Sequence, residues 1–303
     1  MTTRYDLIVV GEGIAGLSCA AEAARLGLKT AAFEAGFFGG LVVNVNELHR
    51  FDEADGLSGM DHATRLASAN KKAGVSSVQA EVRAIRPVDG GFEVDAGNGT
   101  FNARCVVIAT GASLKKLGVP GEATYEGRGV SQCADCDGPM FTGAEVVVAG
   151  AGDWALQEAR VLAQECSVVN VVHEGDALVA CRDYVDAARA EPKIRFHAAT
   201  TIESVLGNDS GMTGLRLRDA HGTRRELPAA GLFVMTGLDA RSALAPAEVL
   251  RDEQGCLRVS NDLETAVPGL WAIGLVRSGF GGWLADAAAE ARRVASLVKA
   301  RMG

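Results

Sequence analysis

The chain has 303 residues, of which 48% are hydrophobic and 22% charged, with a formal charge of −8. That length accommodates two domains with separate cores, and that composition excludes a disordered chain. No Lys/Arg run supplies the clustered cations a phosphate backbone demands, and no uninterrupted apolar segment reaches the span of a membrane helix, so nucleic acid and membrane are both excluded as partners.

The opening Met1-Thr2-Thr3-Arg4-Tyr5-Asp6 has neither the positive region nor the apolar core of a signal peptide, and the chain reads as cytoplasmic. Tyr5 to Val10 reads as a buried parallel strand, Leu17 to Leu26 as a helix ended by Gly27, and Lys29 to Phe33 as a strand closed by Glu34. Val82 to Arg86, Phe92 to Asp95 and Thr100 to Arg104 alternate as a meander, and Val106 to Ala109 then runs into Thr110-Gly111. The second half repeats this plan. Strand Glu145 to Ala149, helix Ala155 to Glu165 and strand Val168 to Val172 precede a meander of Thr201 to Leu206, Leu215 to Asp219 and Arg224 to Leu227, and Leu232 to Met235 runs into Thr236-Gly237. Two copies of one plan indicate two nucleotide-binding domains rather than a solenoid. The remaining strand, Leu270 to Ile273, and helix, Trp283 to about Arg301, need a sheet to join. The expected fold is therefore α/β with two Rossmann-like, three-layer ββα domains, the second inserted in the first: residues 1–116 with 247–303, and 117–246.

Each half carries a glycine loop between a strand and a helix. In the first, Gly11 permits the tight turn, Gly13 lets a pyrophosphate approach the backbone beside Ile14 and Ala15, and Gly16 lets helix and strand pack closely. Glu34, at the end of the next strand, suits ribose hydroxyls. The same glycines also serve to cap a strand; the matched loop, helix, strand and terminal acid favour the dinucleotide. The second loop offers Gly150, Gly152, Asp153 and Ala155, with Glu174 after the following strand. Between the loops lies Cys133-Ala134-Asp135-Cys136-Asp137-Gly138, where two thiols in one turn can cycle between dithiol and disulfide. A Cys-x-x-Cys is also half a zinc site, but no second pair completes four ligands, so no metal is expected. Cys19, Cys105, Cys166, Cys181 and Cys256 read as small buried hydrophobes. Asp137 is either a proton carrier for the thiols or a turn residue before Gly138.

The order of these parts resembles the low-molecular-weight thioredoxin reductases and their flavoprotein relatives, a branch of the FAD-dependent pyridine nucleotide-disulfide oxidoreductases, over nearly the whole chain. The resemblance rests on Gly11/Gly13/Gly16 with Glu34, the Gly39-Gly40 pair, Ala109-Thr110-Gly111-Ala112, Val119-Pro120-Gly121-Glu122, the Cys133 to Gly138 run and Gly152-Asp153 with Ala155. It implies that the first and C-terminal segments, including Gly274, hold FAD. It further implies an inserted domain that holds the nicotinamide cofactor and the thiol pair and that rotates between two positions, in a homodimer. Cys136 would face the flavin, Cys133 would exchange with an outside thiol or disulfide, borne by a small molecule or a protein, and Asp137 would shuttle a proton.

Four departures from that pattern bear on function. Glu12 puts an anion inside the first loop, unfavourable unless its side chain turns to solvent. Leu275 follows Gly274 where the family has an acid that holds the ribityl chain. Glu174 and Gly175 follow His173 where the family has two arginines for the 2′-phosphate of NADPH, and Val179 replaces a third; an acid there disfavours NADPH, and Glu174 fits either a ribose hydroxyl of NADH or an ordinary solvated loop. Trp154 takes a small residue's place in the second loop, where it would either obstruct a pyrophosphate or pack outward. Three activities fit: a reductase fed by a nicotinamide, a dithiol oxidase passing electrons to oxygen, and a non-catalytic nucleotide-binding relative.

Overall fold

In the computed structural model, residues 4–45, 47–48 and 51–303 are described. The chain divides into two compact units, Met1–Ser113 with Asp239–Gly303, and Leu114–Leu238. The return to the first unit falls at Asp239, where the expected boundary was 246/247. The intervening stretch packs on the first unit: Ala245 is part of its core, and Ser242 donates to the Gly255 carbonyl.

The first unit begins with β1 (Arg4–Val10), α1 (Ile14–Arg25) and β2 (Thr30–Glu34), followed by α2 (Gly59–Lys72), β3 (Ser76–Gln79), β4 (Val82–Val88), β5 (Gly91–Ala96) and β6 (Gly99–Ile108). The expectation of separate strands at Thr100 to Arg104 and Val106 to Ala109 is corrected here: β6 is one strand. Its first half pairs antiparallel with β5, while from Asn102 onward it runs parallel to β1, so one strand joins the meander to the parallel sheet. The strand continues through Arg104 and Cys105. The order of the sheet is β3-β2-β1-β6-β5-β4.

Alternate residues of β1 serve two cores. Leu7 and Val9 pack under the helices with Cys19, Ala20 and Ala23 of α1, while Ile8 and Val10 pack on the opposite face with Phe33, Val94 and Leu270. Burial on both faces is why this strand reads as a continuous apolar run.

The chain passes to the second unit through β7 (Ala112–Leu114). There it forms β8 (Val130–Ser131), the single turn α3 (Ala134–Asp137), β9 (Glu145–Ala149), α4 (Asp153–Glu165), β10 (Val168–Val172), α5 (Arg182–Arg189) and β11 (Ile194–His197). These are followed by β12 (Thr200–Asn208), β13 (Gly211–Asp219), β14 (Arg224–Pro228) and β15 (Gly231–Val234). A parallel sheet runs β11-β10-β9-β15-β8, and β12-β13-β14 form a separate antiparallel sheet. Val146 and Val148 of β9 face α4, and Val147 and Ala149 face the antiparallel layer, repeating the division seen in β1.

The chain returns through β16 (Leu238–Ala240), which pairs with β7. It closes the first unit with β17 (Leu270–Ala272), parallel to β6, and α6 (Leu284–Met302), whose Ala287, Ala291 and Val294 share a core with α1. Both units are Rossmann-like, the second inserted in the first. Among the described residues, no helix is long and apolar enough to cross a membrane.

Candidate active site

β8 ends two residues before Cys133, which caps the short turn α3. Cys133 and Cys136 are joined in a disulfide with their Cα atoms 5.3 Å apart, and the Cys136 N–H donates to the Cys133 sulfur at 3.2 Å. Ser131 organises the turn from below. Its hydroxyl donates to the Asp137 carboxylate at 2.6 Å and accepts the Cys133 N–H at 3.1 Å, and the Asp137 N–H closes the turn on the Cys133 carbonyl. Asp137 is thus an acid held in one orientation in the turn, next in sequence to Cys136. Sequence reasoning passed over Ser131, although a hydroxyl two residues before the first cysteine is the spacing of a side-chain-to-backbone turn. It also passed over Glu158 of α4, a buried carboxylate that accepts the Ala134 N–H at 2.7 Å.

The other cysteines do not share one environment. Cys19, Cys105 and Cys166 are buried; burial pushes the Cys19 thiol up to about 12 and Cys105 to about 11, which keeps both inert. Cys181 is exposed and Cys256 half-buried, which corrects the expectation that all five are buried hydrophobes. Cys181 caps α5, a polar helix end rather than an apolar segment, and the neighbouring Asp153 carboxylate raises its thiol.

The first glycine loop has the shape of a dinucleotide cradle. Gly11, at φ +102°, could carry no side chain without meeting the Ala109 carbonyl, and a Cβ on Gly16 would meet the Gly11 carbonyl. Gly13 differs: its φ of −70° suits any residue, and a Cβ there would find one atom of the protein, the Gly39 oxygen at 3.9 Å. The backbone at Gly13 is therefore left bare toward open space, as a pyrophosphate requires. Gly39 straps the loop, its N–H donating to the Glu12 carbonyl at 2.6 Å, and Gly40 lies beside Gly13. Ile14 and Ala15 open α1, and Gly274, at φ +71°, closes on it so tightly that a Cβ there would crowd the Ala15 side chain at 3.1 Å. Thr110 donates to the Arg241 carbonyl beside Ala109 and Gly111. Leu275 follows Gly274 in a short 3₁₀ turn, where Glu290 accepts the Gly274 N–H and pairs with Arg277.

Glu12 does not turn to solvent. It is buried, with both carboxylate oxygens 3.0 Å from the Ser77 hydroxyl on β3, away from the open side of the loop. Burial raises its pKa, Ser77 offsets part of that, and the nearby Glu34 adds to it. Glu34 accepts the Glu12 N–H at 2.9 Å and the Gly36 N–H at 3.1 Å, which fixes it at the strand end.

In the second unit Gly152 precedes α4 and nothing would meet a Cβ on it within 4 Å, so this loop too is open. Gly150, at φ +148°, abuts the Met235 carbonyl and Ala155. The Asp153 carboxylate accepts the Cys181 N–H at 2.5 Å, and Val179 donates to the Ala151 carbonyl. Trp154 is half-buried against the core beneath α4 and its indole donates to Glu158, rather than pointing outward. Glu174 is exposed at the rim.

Across residues 5–301 the sequence matches the family model described as pyridine nucleotide-disulphide oxidoreductase. The chain belongs to that family. Like other pyridine nucleotide-disulphide oxidoreductases of the thioredoxin reductase branch, it is an FAD-dependent disulfide oxidoreductase. It is 35% identical over 280 residues to the thioredoxin reductase of Treponema pallidum (strain Nichols), a match that covers 92% of this chain and 91% of the relative. Among solved structures of the family, the T. acidophilum thioredoxin reductase superposes with a TM-score of 0.89 at 28% identity, covering 99% of each chain. The Lactococcus lactis thioredoxin reductase in its FR conformation gives 0.90 at 29% identity and 97% of each.

Proposed function

We propose that the chain is a dithiol/disulfide oxidoreductase in which Cys133 and Cys136 carry electrons between FAD and a thiol or disulfide substrate, either a small molecule or a protein. The observation that carries this reading is a disulfide in one turn whose adjacent acid, Asp137, is held by Ser131 at 2.6 Å. Cys133 is the sulfur that exchanges with the outside partner, and Cys136 is the sulfur that exchanges electrons with the cofactor. Asp137 gives a proton to a departing thiolate and takes it back in the reverse step, a role that needs a carboxyl fixed beside the pair. Gly11, Gly13, Ile14, Ala15, Gly16, Gly39, Gly40, Ala109, Thr110, Gly111 and Gly274 would cradle FAD, with Glu34 on its ribose. FAD, when bound, supplies the two-electron transfer.

Gly150, Gly152, Asp153 and Ala155 would take a nicotinamide dinucleotide, with Glu174 on ribose hydroxyls. That set supports NADH over NADPH, because the exposed Glu174 stands where a 2′-phosphate needs a cation. The same missing cations favour a second reading, a dithiol oxidase that draws its electrons from a thiol substrate and delivers them to oxygen. By the family resemblance the enzyme works as a cytoplasmic homodimer. Anaerobic titration of the purified yellow protein with NADH, NADPH and a dithiol, each alone, tests the proposal: the dithiol bleaches the flavin in both versions, and NADH does so in the reductase alone. A protein that stays colourless after incubation with FAD would be the non-catalytic relative.

A further inference from the structure

Glu158 lies on α4, the helix that opens at the second glycine loop, and its side chain points under the redox turn. It is 8% exposed, and its Oε2 accepts the N–H of Ala134, the residue after Cys133, at 2.7 Å. Its other partner is the indole of Trp154, four residues earlier on the same helix. No salt bridge reaches it among the described residues. A carboxylate buried without a counter-ion is costly unless its hydrogen bonds are worth keeping; here one holds the turn that carries the thiols, and the other, from Trp154, steadies the carboxylate on its own helix.

We infer that Glu158 is a positioning residue of the redox pair: it fixes the Cys133–Cys136 turn through the Ala134 amide and, by its charge, sets how readily the reduced pair gives up its second proton. This inference rests on the reading of that pair as the redox centre. When the disulfide takes up two electrons, the S–S bond breaks and the sulfurs leave as a thiol and a thiolate with one proton, or as two thiols with two. A negative charge held behind the turn disfavours the thiolate form and so keeps the second proton on the pair to higher pH.

On the redox turn, Asp135 acts on Glu158 as a like charge, and Asp137 is bonded to Ser131. Lys193, before β11, reaches α4 at the Ala163 carbonyl, further along the helix, and Arg182 of α5 pairs with Asp186. His197 of β11 bonds Asn170 and Arg225. Burial, first, and Asp135 raise the Glu158 pKa, while Ala134 and Trp154 lower it in part.

The test compares Glu158→Gln, which keeps an acceptor for the Ala134 N–H and removes the charge, with Glu158→Ala, which removes both. In the FAD-loaded protein, the pair is reduced with dithiothreitol and the alkylation of Cys133 and Cys136 is followed peptide by peptide against pH. Glu158→Gln is expected to speed alkylation at neutral pH about tenfold and to shift equilibrium with dithiothreitol toward the dithiol by a similar factor. Trp154→Phe removes a donor to the carboxylate and should move both in the same direction by less. A purely structural role predicts that Glu158→Gln matches the wild type and Glu158→Ala alone is impaired, and that result overturns the inference. Should Glu158→Gln fail to fold, unchanged alkylation and equilibrium in Trp154→Phe overturn it equally. If dithiothreitol does not reduce the wild-type pair, the proposed function falls with it; if it does and the variants are silent, only the role of Glu158 falls.

Discussion

Replacing Gly13 with Ala separates cofactor binding from folding, because the added methyl has room in the protein and none to spare beside a pyrophosphate. At φ −70° and ψ 179° the residue needs no glycine, and its Cβ would approach only the Gly39 oxygen, at 3.9 Å. The stability of the cofactor-free protein should therefore change by less than about 1 kcal/mol, with a slight gain from the stiffer unfolded chain. Binding should suffer more. A methyl that holds the phosphate off the loop removes at least one charge-assisted hydrogen bond from a backbone N–H, worth about 1.5–3 kcal/mol, which is roughly a ten- to hundredfold loss of FAD affinity. Gly16→Ala provides the contrast, since its Cβ would enter the Gly11 carbonyl and should destabilise the fold itself by about 1–3 kcal/mol. Thermal melts of the stripped proteins and titration of each with FAD by flavin fluorescence measure both quantities. Gly13→Ala that binds FAD as tightly as the wild type would refute the cradle.

The remaining expectations concern the thiols, the buried acid and the nicotinamide. Cys136→Ser should abolish electron exchange between flavin and thiols, whereas Cys133→Ser should leave a Cys136 thiolate that perturbs the flavin spectrum; full turnover in both would remove the pair from the reaction. Ser131→Ala frees the Asp137 carboxylate and should slow the proton-coupled step about tenfold without loss of FAD, read from rapid-reaction kinetics with a dithiol. Glu12→Gln should raise the melting temperature increasingly with pH. Burial holds the Glu12 pKa above its ordinary 4.5, so the folded protein keeps a proton that the unfolded chain releases, and stability present below 4.5 is lost as pH rises through the folded pKa. A difference between Glu12→Gln and wild type that does not grow with pH would contradict this. The preference for NADPH should fall by at least about a hundredfold relative to the family pattern, two lost charge-assisted contacts of about 1.5–3 kcal/mol each being replaced by Glu174, and rapid flavin reduction by NADPH would show that reading wrong.

The parts of the fold legible in the sequence are those whose side chains are apolar on both faces. β1 and β9 have cores on either side, so each appears as an unbroken run. β3, at the sheet edge with Ser76, Ser77 and Gln79 exposed, offers no such run, and α2 and α5 are polar along most of their length. β6 reads as two strands in the sequence because the exposed Arg104 separates its half-buried first half from the apolar run Cys105 to Ile108, and a pattern of buried residues does not record that one strand passes from β5 to β17. At the candidate site, glycine spacing and the Cys-x-x-Cys were visible because they constrain the backbone. The directions of Glu12, Trp154 and Glu158 were not, since each is decided by what it meets in the fold: Ser77 on β3, the core beneath α4, and the Ala134 amide.

The central claim is that the disulfide Cys133–Cys136 exchanges electrons with the flavin. Anaerobic titration with a dithiol, with flavin absorbance and the thiols of the two cysteine peptides followed together, tests it most directly. The flavin should take up two electrons and the disulfide two more, with the second pair lost in Cys133→Ser. Flavin reduction at the same rate and extent in a Cys133→Ser/Cys136→Ser protein would contradict it.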